Sequence, residues 1–434
     1  MKYKLIIIIS LITIQKVMAQ DSRTLTLKEA VELSIKNNKL LKLNESKLQE
    51  ATIAIKEAEE RQLPDANASV SYMYLPIKPS INLKSSSNAS SAPSVNQAML
   101  SSVTASLPIY SAGKLKYGIE SDKYLAQAVQ LDADNDRSAV ILNTINACIN
   151  LFKAHQAIAL VKENLQQAEQ RVKDFTSLEQ NGLMARNDLL KAELQSANIE
   201  LTLLDAESNY KLACVNMNIM MGLPEQIILI PDRNGLTLPS NIKTIEAYEQ
   251  DALQNRKDIS AIAERKKAAD LNIKSVQTEK YPNISLTGGY IAADIPKFLS
   301  VYNAVNIGIG VKYNIASLWK TNTKIQQATI KVKQLQSSEE ILNDNIRLQI
   351  NQAYQAYLVS VKKIEVLQKS VIQATENYRI TKNKYENALT TTTELLDADV
   401  ALLLSKLSVT NAKADSFMAY NRLLHAAGLL TEKL

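Results

Sequence analysis

The sequence predicts a mainly α-helical protein, built from duplicated units, that also carries a few β-strands of membrane type. Three observations support this fold class: two very long stretches without a helix-breaking residue, four short segments of alternating polarity, and an internal repeat at constant spacing. With 434 residues, of which 46% are hydrophobic, the chain is long enough to bury a large core.

The N-terminus, residues 1–19, is predicted to be a secretory signal peptide. Lysines at its start precede an apolar run from Leu5 to Ile14, and the small residue Ala19 offers a cleavage site. The apolar run is too short to cross a membrane as a helix, which takes about 20 residues. Because no later segment contains eighteen consecutive apolar residues, we expect an exported protein without a transmembrane helix.

Good helix formers dominate two long parts of the chain. No proline occurs between Pro108 and Pro224 or after Pro296, and alanine, leucine, glutamine, lysine and glutamate fill these stretches. At 1.5 Å per residue, the longest helices would extend roughly 100 Å. Apolar residues also recur every three or four positions, as in a coiled coil. We predict long helices over residues 113–181, 183–222, 318–387 and 389–428.

Two parts of the chain repeat each other. The segment NGLMARNDLLKAEL (181–194) aligns with NALTTTTELLDADV (387–400), and Gly222 aligns with Gly428, each pair being 206 residues apart. A constant shift of this kind indicates duplication of one structural unit. We expect a first repeat, a proline-containing linker and a second repeat over residues 20–223, 224–241 and 242–434.

Four segments alternate apolar and polar residues, which is the pattern of a strand with one apolar and one polar face. In NAVNIGIGVKYNI (303–315) the odd positions from Val305 to Ile315 are apolar, whereas the even positions hold asparagine, glycine and lysine. The first two segments are separated by the Ser/Asn-rich stretch 77–98, which is typical of a flexible loop. We predict strands near residues 66–76, 99–110, 283–292 and 303–315.

These strands allow two interpretations. One is a sheet that covers a helix layer in a water-soluble protein. The other is part of a membrane β-barrel, in which every backbone group is paired. The composition of the connecting loops and the length of the following helices favour the barrel. Because the smallest known barrels have eight strands, four strands per chain would require several chains to combine theirs.

Composition argues against nucleic-acid binding and against catalysis. The formal net charge is only +6, and no basic block occurs. His155 and His425, the only histidines, lie in helical stretches without partners at metal-binding spacing. No glycine-rich phosphate loop or nucleophile motif is present, so we expect no enzyme, no cofactor and no metal. Cys148 and Cys214 fit buried apolar positions, and their disulfide state stays open.

The order and spacing of several segments resemble those of the TolC-like outer-membrane factors, the exit ducts of bacterial efflux pumps and type I secretion systems. LTLKEAVELSIKNN (25–38) is similar to the family's opening helix, and YSAGK (110–114) to its strand-to-helix corner. The repeated segments 181–194 and 387–400 are similar to its two helix–turn–helix tips. The resemblance covers essentially the whole mature chain.

The resemblance implies a homotrimer in the outer membrane, with a twelve-stranded β-barrel made from four strands of each chain. The long helices would form an α-helical barrel in the periplasm. The implied partners are a periplasmic adaptor protein, an inner-membrane pump of RND or ABC type, and outer-membrane lipid. The implied function is transport of small molecules or polypeptides from the periplasm to the exterior, with the substrate left open.

The resemblance also implies roles for residues near the two turns. Glu394 and Asp397 match acidic positions at the family's closed constriction, and in a trimer they would form two rings of three carboxylates. Tyr385 and Asp188 match positions that hydrogen-bond between coiled coils and hold the family's gate shut. The positions that contact the adaptor correspond to Gly182, Leu183, Ala388 and Leu389.

The sequence departs from the family at Thr390, where other members carry an arginine that forms a second latch. Opposite Asn187, this position would make a neutral contact or none. The acids also have a simpler interpretation, since carboxylates near a helix N-terminus are stabilised by the helix dipole. Likewise, Gly182 fits a helix C-cap.

A second hypothesis is an exported coiled-coil protein with a structural or interaction role. Its strands would then form an ordinary sheet without a pore. Such a protein would purify without detergent and would conduct no ions.

Overall fold

The computed structural model describes residues 22–77, 95–232, 239, 241–296 and 298–432. The predicted signal peptide and most of the predicted loop 77–98 lie outside the described residues. The helices and strands follow one another along the chain in this order: β1 (Ser22–Leu25), α1 (Leu27–Asn37), α2 (Lys39–Glu60), β2 (Asp65–Tyr74), β3 (Gln97–Tyr110), α3 (Lys114–Gln180), α4 (Arg186–Met221), β4 (Ile228–Pro231), α5 (Ile245–Asn255), α6 (Lys257–Gln277), β5 (Asn283–Ile295), β6 (Leu299–Lys312), α7 (Ser317–Glu386) and α8 (Thr392–Ala426).

The chain divides into two compact units. The sheet unit comprises Glu45–Asp132 and Asp258–Ile341, and the turn unit comprises Met1–Asn44, Ala133–Lys257 and Leu342–Leu434. The long helices α3 and α7 contribute their N-terminal parts to the sheet unit and their C-terminal parts to the turn unit. Each unit therefore contains residues from both predicted repeats.

The two long helices have 67 and 70 residues, respectively. Both end next to a residue in the left-handed region, Gly182 with φ of 72° and Ala388 with φ of 58°. The following helices begin three residues later than predicted, because residues 183–185 and 389–391 extend the turns. Among the helices of the described residues, none has the length and apolar content that a membrane span requires.

The sheet unit contains a four-stranded sheet with the order β2-β3-β5-β6, in which all neighbours are antiparallel. Val305 lies opposite Tyr290, which in turn lies opposite Val103, and residues opposite each other share one face. One face therefore carries most of the apolar residues of the four strands, whereas the other is rich in serine, threonine, asparagine and glycine and also includes Met73, Leu100 and Ile291. The apolar face includes Val70, Tyr72, Val103, Leu107, Leu286, Tyr290, Val305, Ile307, Ile309 and Val311.

Strand β6 begins four residues before the predicted position and ends three residues before it. The first residues of β6 do not follow the alternating pattern, because the pairing with β5 shifts register between Ile291 and Ala293. At this point of β6, Asn303 has a positive φ of 59°. Such a bulge inserts an extra residue and breaks the alternation. At the other end, the Ser317 amide donates to the Asn314 carbonyl at 2.9 Å, and the chain turns into α7.

The turn unit contains a second, two-stranded sheet that was not predicted. Strand β4 lies within the predicted linker and pairs in parallel with β1. The fully buried Leu229 of this strand packs with Leu25, Met217 and Met221. Four residues are too few for alternating polarity to indicate a strand, so the sequence does not predict β1 or β4. In the same core Cys148 is a free thiol, whose pKa is raised to about 12 by burial.

The two predicted repeats end in the same backbone geometry. Gly222 and Gly428 have φ values of 69° and 70°, and the amide after each glycine donates to a carbonyl five residues earlier at 2.8 Å. A Cβ at Gly222 would lie only 2.9 Å from the Cβ of Asn37. Both the positive φ and this close approach therefore require glycine, and the shared geometry supports the duplication.

Candidate functional site: the two helix turns

The turns after α3 and α7 have the same hydrogen-bonding geometry. In the first turn, the Gly182 amide donates to the Glu179 carbonyl at 2.9 Å, and the Leu183 amide donates to the Leu178 carbonyl at 2.8 Å. In the second, the amides of Ala388 and Leu389 make the same two bonds, again at 2.9 and 2.8 Å. This is the Schellman motif, which closes a helix with one left-handed residue. It leaves the leucine side chains 74% and 75% exposed.

The helices that follow the turns begin differently. Thr391 caps α8, because its hydroxyl accepts a hydrogen bond from the Glu394 amide at 3.3 Å. The equivalent residue before α4 is Ala185, which has no side-chain acceptor, and its carbonyl instead accepts from the Asp188 amide at 3.0 Å. A threonine cap is commonly worth about 1 kcal/mol. The start of α8 is therefore more firmly defined than the start of α4.

The two predicted gate acids, Glu394 and Asp397, are both exposed on the first turns of α8. Their spacing puts them on one face of the helix. The opposite face is buried, with Leu395 in the core between the turns. The hydroxyl of Thr390, at the position where the sequence resemblance implies an arginine, donates to the Glu394 carboxylate.

The other predicted gate residues, Tyr385 and Asp188, have separate partners within the chain. The Tyr385 hydroxyl accepts from Thr392 at 3.5 Å, and its ring lies 5.5 Å from that of Phe175. Asp188 accepts from the Lys191 ammonium at 3.3 Å. Among the contacts of the described residues, no hydrogen bond joins Tyr385 to Asp188, and that bond stays a prediction.

An open groove of about 1220 Å³ lies between the two turns. Tyr385 and Asp188 both line it, so the fold brings the two residues to one site. Charged, aromatic and apolar side chains all contribute to its wall. Its lining also includes Arg171, Phe175, Leu183, Lys191, Tyr378 and Thr390.

A buried ion pair lies next to this groove. Arg171 Nη1 of α3 donates to Asp399 Oδ2 of α8 at 3.0 Å, and the Asp399 side chain is only 2% exposed. Asn164 donates to the other carboxylate oxygen at 3.2 Å. A second guanidinium nitrogen of Arg171 donates to the hydroxyl of Tyr378, on α7, at 3.3 Å. The network therefore connects three helices behind the turns.

Sequence reasoning missed this network, although one signal was present. Thr392, Leu395 and Asp399 are spaced three and four residues apart, so they follow one buried stripe of α8. An acid on such a stripe requires a cationic or hydrogen-bonding partner. The pattern does not identify the partner, because Arg171 lies 228 residues away in the chain.

We expect Arg171→Met to destabilise the protein strongly, since it leaves the Asp399 carboxylate buried without its cation. The loss of a single partner from a buried pair typically costs about 3–5 kcal/mol. The double variant Arg171→Met, Asp399→Leu removes both charges and should recover most of that loss. The measurement is the free energy of unfolding of the purified protein in detergent.

The matched control is Arg379→Met on α7, which breaks an exposed pair with Glu376. Exposed pairs contribute about 1 kcal/mol or less, so this change should have little effect. Equal losses for Arg171→Met and Arg379→Met would contradict the role given to burial.

We also expect Ala388→Gly to stabilise the second turn. Alanine at a positive φ has a cost of roughly 1–2 kcal/mol that glycine avoids. The reciprocal change, Gly182→Ala, tests the same geometry in the first turn and should be destabilising by a similar amount, since open space surrounds the new methyl group. Thermal unfolding followed by circular dichroism measures both, and shifts of the same sign would contradict the prediction.

Comparison with known proteins identifies related sequences. Residues 30–223 and 249–429 match the family model described as outer membrane efflux protein. The chain is 23% identical over 300 residues to the outer membrane efflux protein BepC of Brucella suis biovar 1, an alignment that covers 68% of this chain and 65% of the relative. It is also 23% identical over 309 residues to nodulation protein T of Rhizobium leguminosarum bv. trifolii, covering 69% and 65%. The chain thus spans just under two thirds of these relatives' length.

Solved structures share the fold at low sequence identity. The outer membrane protein VceC of Vibrio cholerae is 18% identical and has a TM-score of 0.75, with 93% of this chain and 96% of that chain covered. The Campylobacter jejuni CmeC outer membrane channel is 19% identical, with a TM-score of 0.74 and coverage of 93% and 85%. Because the family model matches most of its length, this chain belongs to the outer membrane efflux protein family, whose members are outer-membrane channels rather than enzymes.

Proposed function

We propose that three copies of this chain form a duct across the outer membrane and the periplasm. The duct carries small molecules or polypeptides from the periplasm to the exterior. The single observation that carries this proposal is the four-stranded sheet, whose apolar face and two edges have no partner among the residues that the structure describes.

The apolar face supports insertion into lipid. Val305, Ile307, Ile309 and Val311 of β6 are between 66% and 82% exposed, although they are among the most apolar side chains of the protein. Contiguous exposed apolar surface of this kind marks an interaction with a membrane or another protein. The opposite face is polar, with the Ser69 and Ser102 hydroxyls 2.9 Å apart, and it suits a water-filled lumen.

The sheet edges support assembly with other copies. Within the described strands, β2 and β6 each pair on one side only. An unpaired backbone group in hydrocarbon costs several kcal/mol, so an open edge does not persist in lipid. Three chains would supply twelve strands, which exceeds the minimum of eight known for a closed barrel.

The two helix turns support a gate and a docking site at the periplasmic end. Glu394 and Asp397 are exposed, so three copies could present two rings of carboxylates that favour cations. Gly182 and Ala388 hold the exposed side chains of Leu183 and Leu389 in equivalent positions. We propose these as contacts for a periplasmic adaptor, which would link the duct to an inner-membrane pump of RND or ABC type.

The barrel is tested by adding the same charge to each face of the sheet. Ile307→Lys places a cation on the apolar face, where it would cost about 2–4 kcal/mol near the bilayer midplane. Asn306→Lys is the matched control, since it places the cation on the polar face of the same strand. We expect Ile307→Lys to reduce trimer in the outer-membrane fraction, whereas Asn306→Lys assembles and conducts with increased anion selectivity.

Mass measurement in detergent and conductance in planar bilayers provide the readouts. A wild-type protein that is monomeric, soluble without detergent and non-conducting would contradict the duct. That result would instead favour an exported coiled-coil protein without a pore.

The gate is tested by removing the proposed carboxylate rings. The double variant Glu394→Gln, Asp397→Asn should weaken block of the conductance by multivalent cations on the order of tenfold, because six negative charges are lost at close range. Glu376→Gln provides a control that removes an exposed acid of α7 paired with Arg379. Unchanged block in the double variant would exclude Glu394 and Asp397 from the constriction.

A further inference from the structure

A second groove lies in the sheet unit, beside the strand ends. Its volume is about 360 Å³, and Tyr117, Lys274, Lys280, Tyr281 and Ile325 are among its lining residues. We call it the lysine groove. β3 ends two residues before Ala112, the first lining residue, and β5 begins two residues after Tyr281. The groove therefore lies where the sheet gives way to the helices.

The chain around the lysine groove is strongly cationic. The segments 110–117, 274–283 and 312–324 contain seven lysines and one acid, Glu279. That acid accepts from Lys324 at 2.6 Å and from Lys114 at 3.4 Å. The Lys324 hydrogen bond is the main reason that the pKa of Glu279 is lowered, so this carboxylate stays ionised and paired.

The two lysines that line the groove keep their positive charge available. Lys280 donates to the neutral Asn322 side chain at 2.9 Å. Among the described residues, no hydrogen bond or ion pair involves Lys274, and its side chain is exposed. Lys274, Lys280, Tyr117 and Tyr281 all carry hydrogen-bond donors that suit a phosphate, and the described residues that line the groove include no carboxylate.

Aromatic residues lie near the same strand ends as the lysine groove. Tyr110, Tyr313 and Trp319, the only tryptophan of the chain, are all exposed close to the strand ends. Tyrosine and tryptophan are enriched where a membrane meets water, because their rings are apolar and their polar atoms require hydrogen bonds. This set indicates the level at which the apolar face of the sheet leaves the hydrocarbon.

The position of Ile325 connects the groove with the apolar face. Leu318 and Ile325 are seven residues apart and so share one face of α7. Leu318 is exposed and follows Tyr313 and Ile315, which continue the alternating apolar positions of β6. Ile325, which lines the lysine groove, therefore shares a helix face with an exposed apolar residue close to the end of β6.

We propose that the lysine groove binds the phosphate of an anionic phospholipid in the periplasmic leaflet of the outer membrane. The inference rests on the proposed insertion of the sheet into that membrane. Lys274 and Lys280 pair with the phosphodiester, and Tyr117 and Tyr281 donate hydroxyl hydrogen bonds. The acyl chains then lie against the apolar face of the sheet, so one lipid contacts both the lysine groove and this face.

Trp319 provides an intrinsic probe for this lipid. The full-length protein is reconstituted in bilayers that contain phosphatidylglycerol or phosphatidylethanolamine with brominated acyl chains, which quench tryptophan fluorescence on contact. We expect phosphatidylglycerol to displace phosphatidylethanolamine from the protein surface. A lysine near an anionic headgroup contributes roughly fivefold in affinity, the equivalent of about 1 kcal/mol.

The test variant is Lys274→Gln, Lys280→Gln, which should lose most of the preference for phosphatidylglycerol. The matched control is Lys331→Gln, Lys333→Gln, which removes two exposed charges from α7 away from the groove and should keep the preference. No preference in the wild type, or an equal loss in both variants, would overturn the proposal. Competition by millimolar inorganic phosphate would also overturn it, since the groove would then bind free phosphate rather than lipid.

Conductance separates this proposal from the proposed function. If the protein conducts and Trp319 is quenched equally by both lipids, the duct stands and the lipid site fails. If no brominated lipid quenches Trp319 and no current is seen, insertion itself fails.

Discussion

The rest of the structure depends on a sheet that is incomplete within one chain. Within the described part of the chain its four strands leave one apolar face and two backbone edges without partners, which fits the proposed contact with lipid and with strands of other copies. Helices α3 and α7 follow β3 and β6 after connections of three and four residues. Whatever fixes the spacing of the strands therefore also fixes where these two helices begin.

The strands of the four-stranded sheet could be predicted because one face is mainly apolar and the other mainly polar, so that the two residue types alternate along the sequence. The alternation from Val305 to Val311 predicts which face of the sheet each of these residues occupies. The register then places these residues beside those of the neighbouring strand on the same face. The bulge at Asn303 could not be predicted, since an inserted residue erases the pattern that would reveal it. Strands β1 and β4 were missed because their pairing joins segments about 200 residues apart that are too short to carry a period.

The turns were located by different signals. Glycine at position 182 indicates a left-handed helix end by itself, whereas alanine at position 388 does not, and only the repeat aligned it with Gly182. The two turns thus share one backbone geometry although their side chains differ. The pairing of Arg171 with Asp399 required the structure, because periodicity assigns a residue to a buried face but does not say which helix packs against it.

Near the second turn, exposed acids and a buried ion pair have different electrostatic roles. Thr390 donates to Glu394 of its own chain, so a neutral hydroxyl binds an acid of the proposed constriction. Arg171 has a different role, because it joins α3 to α8 in a buried pair. Salt screens exposed charges over about 8 Å at physiological ionic strength and buried pairs much less. Ionic strength should therefore modulate the attraction of cations to Glu394 and Asp397 without loosening the helices behind them.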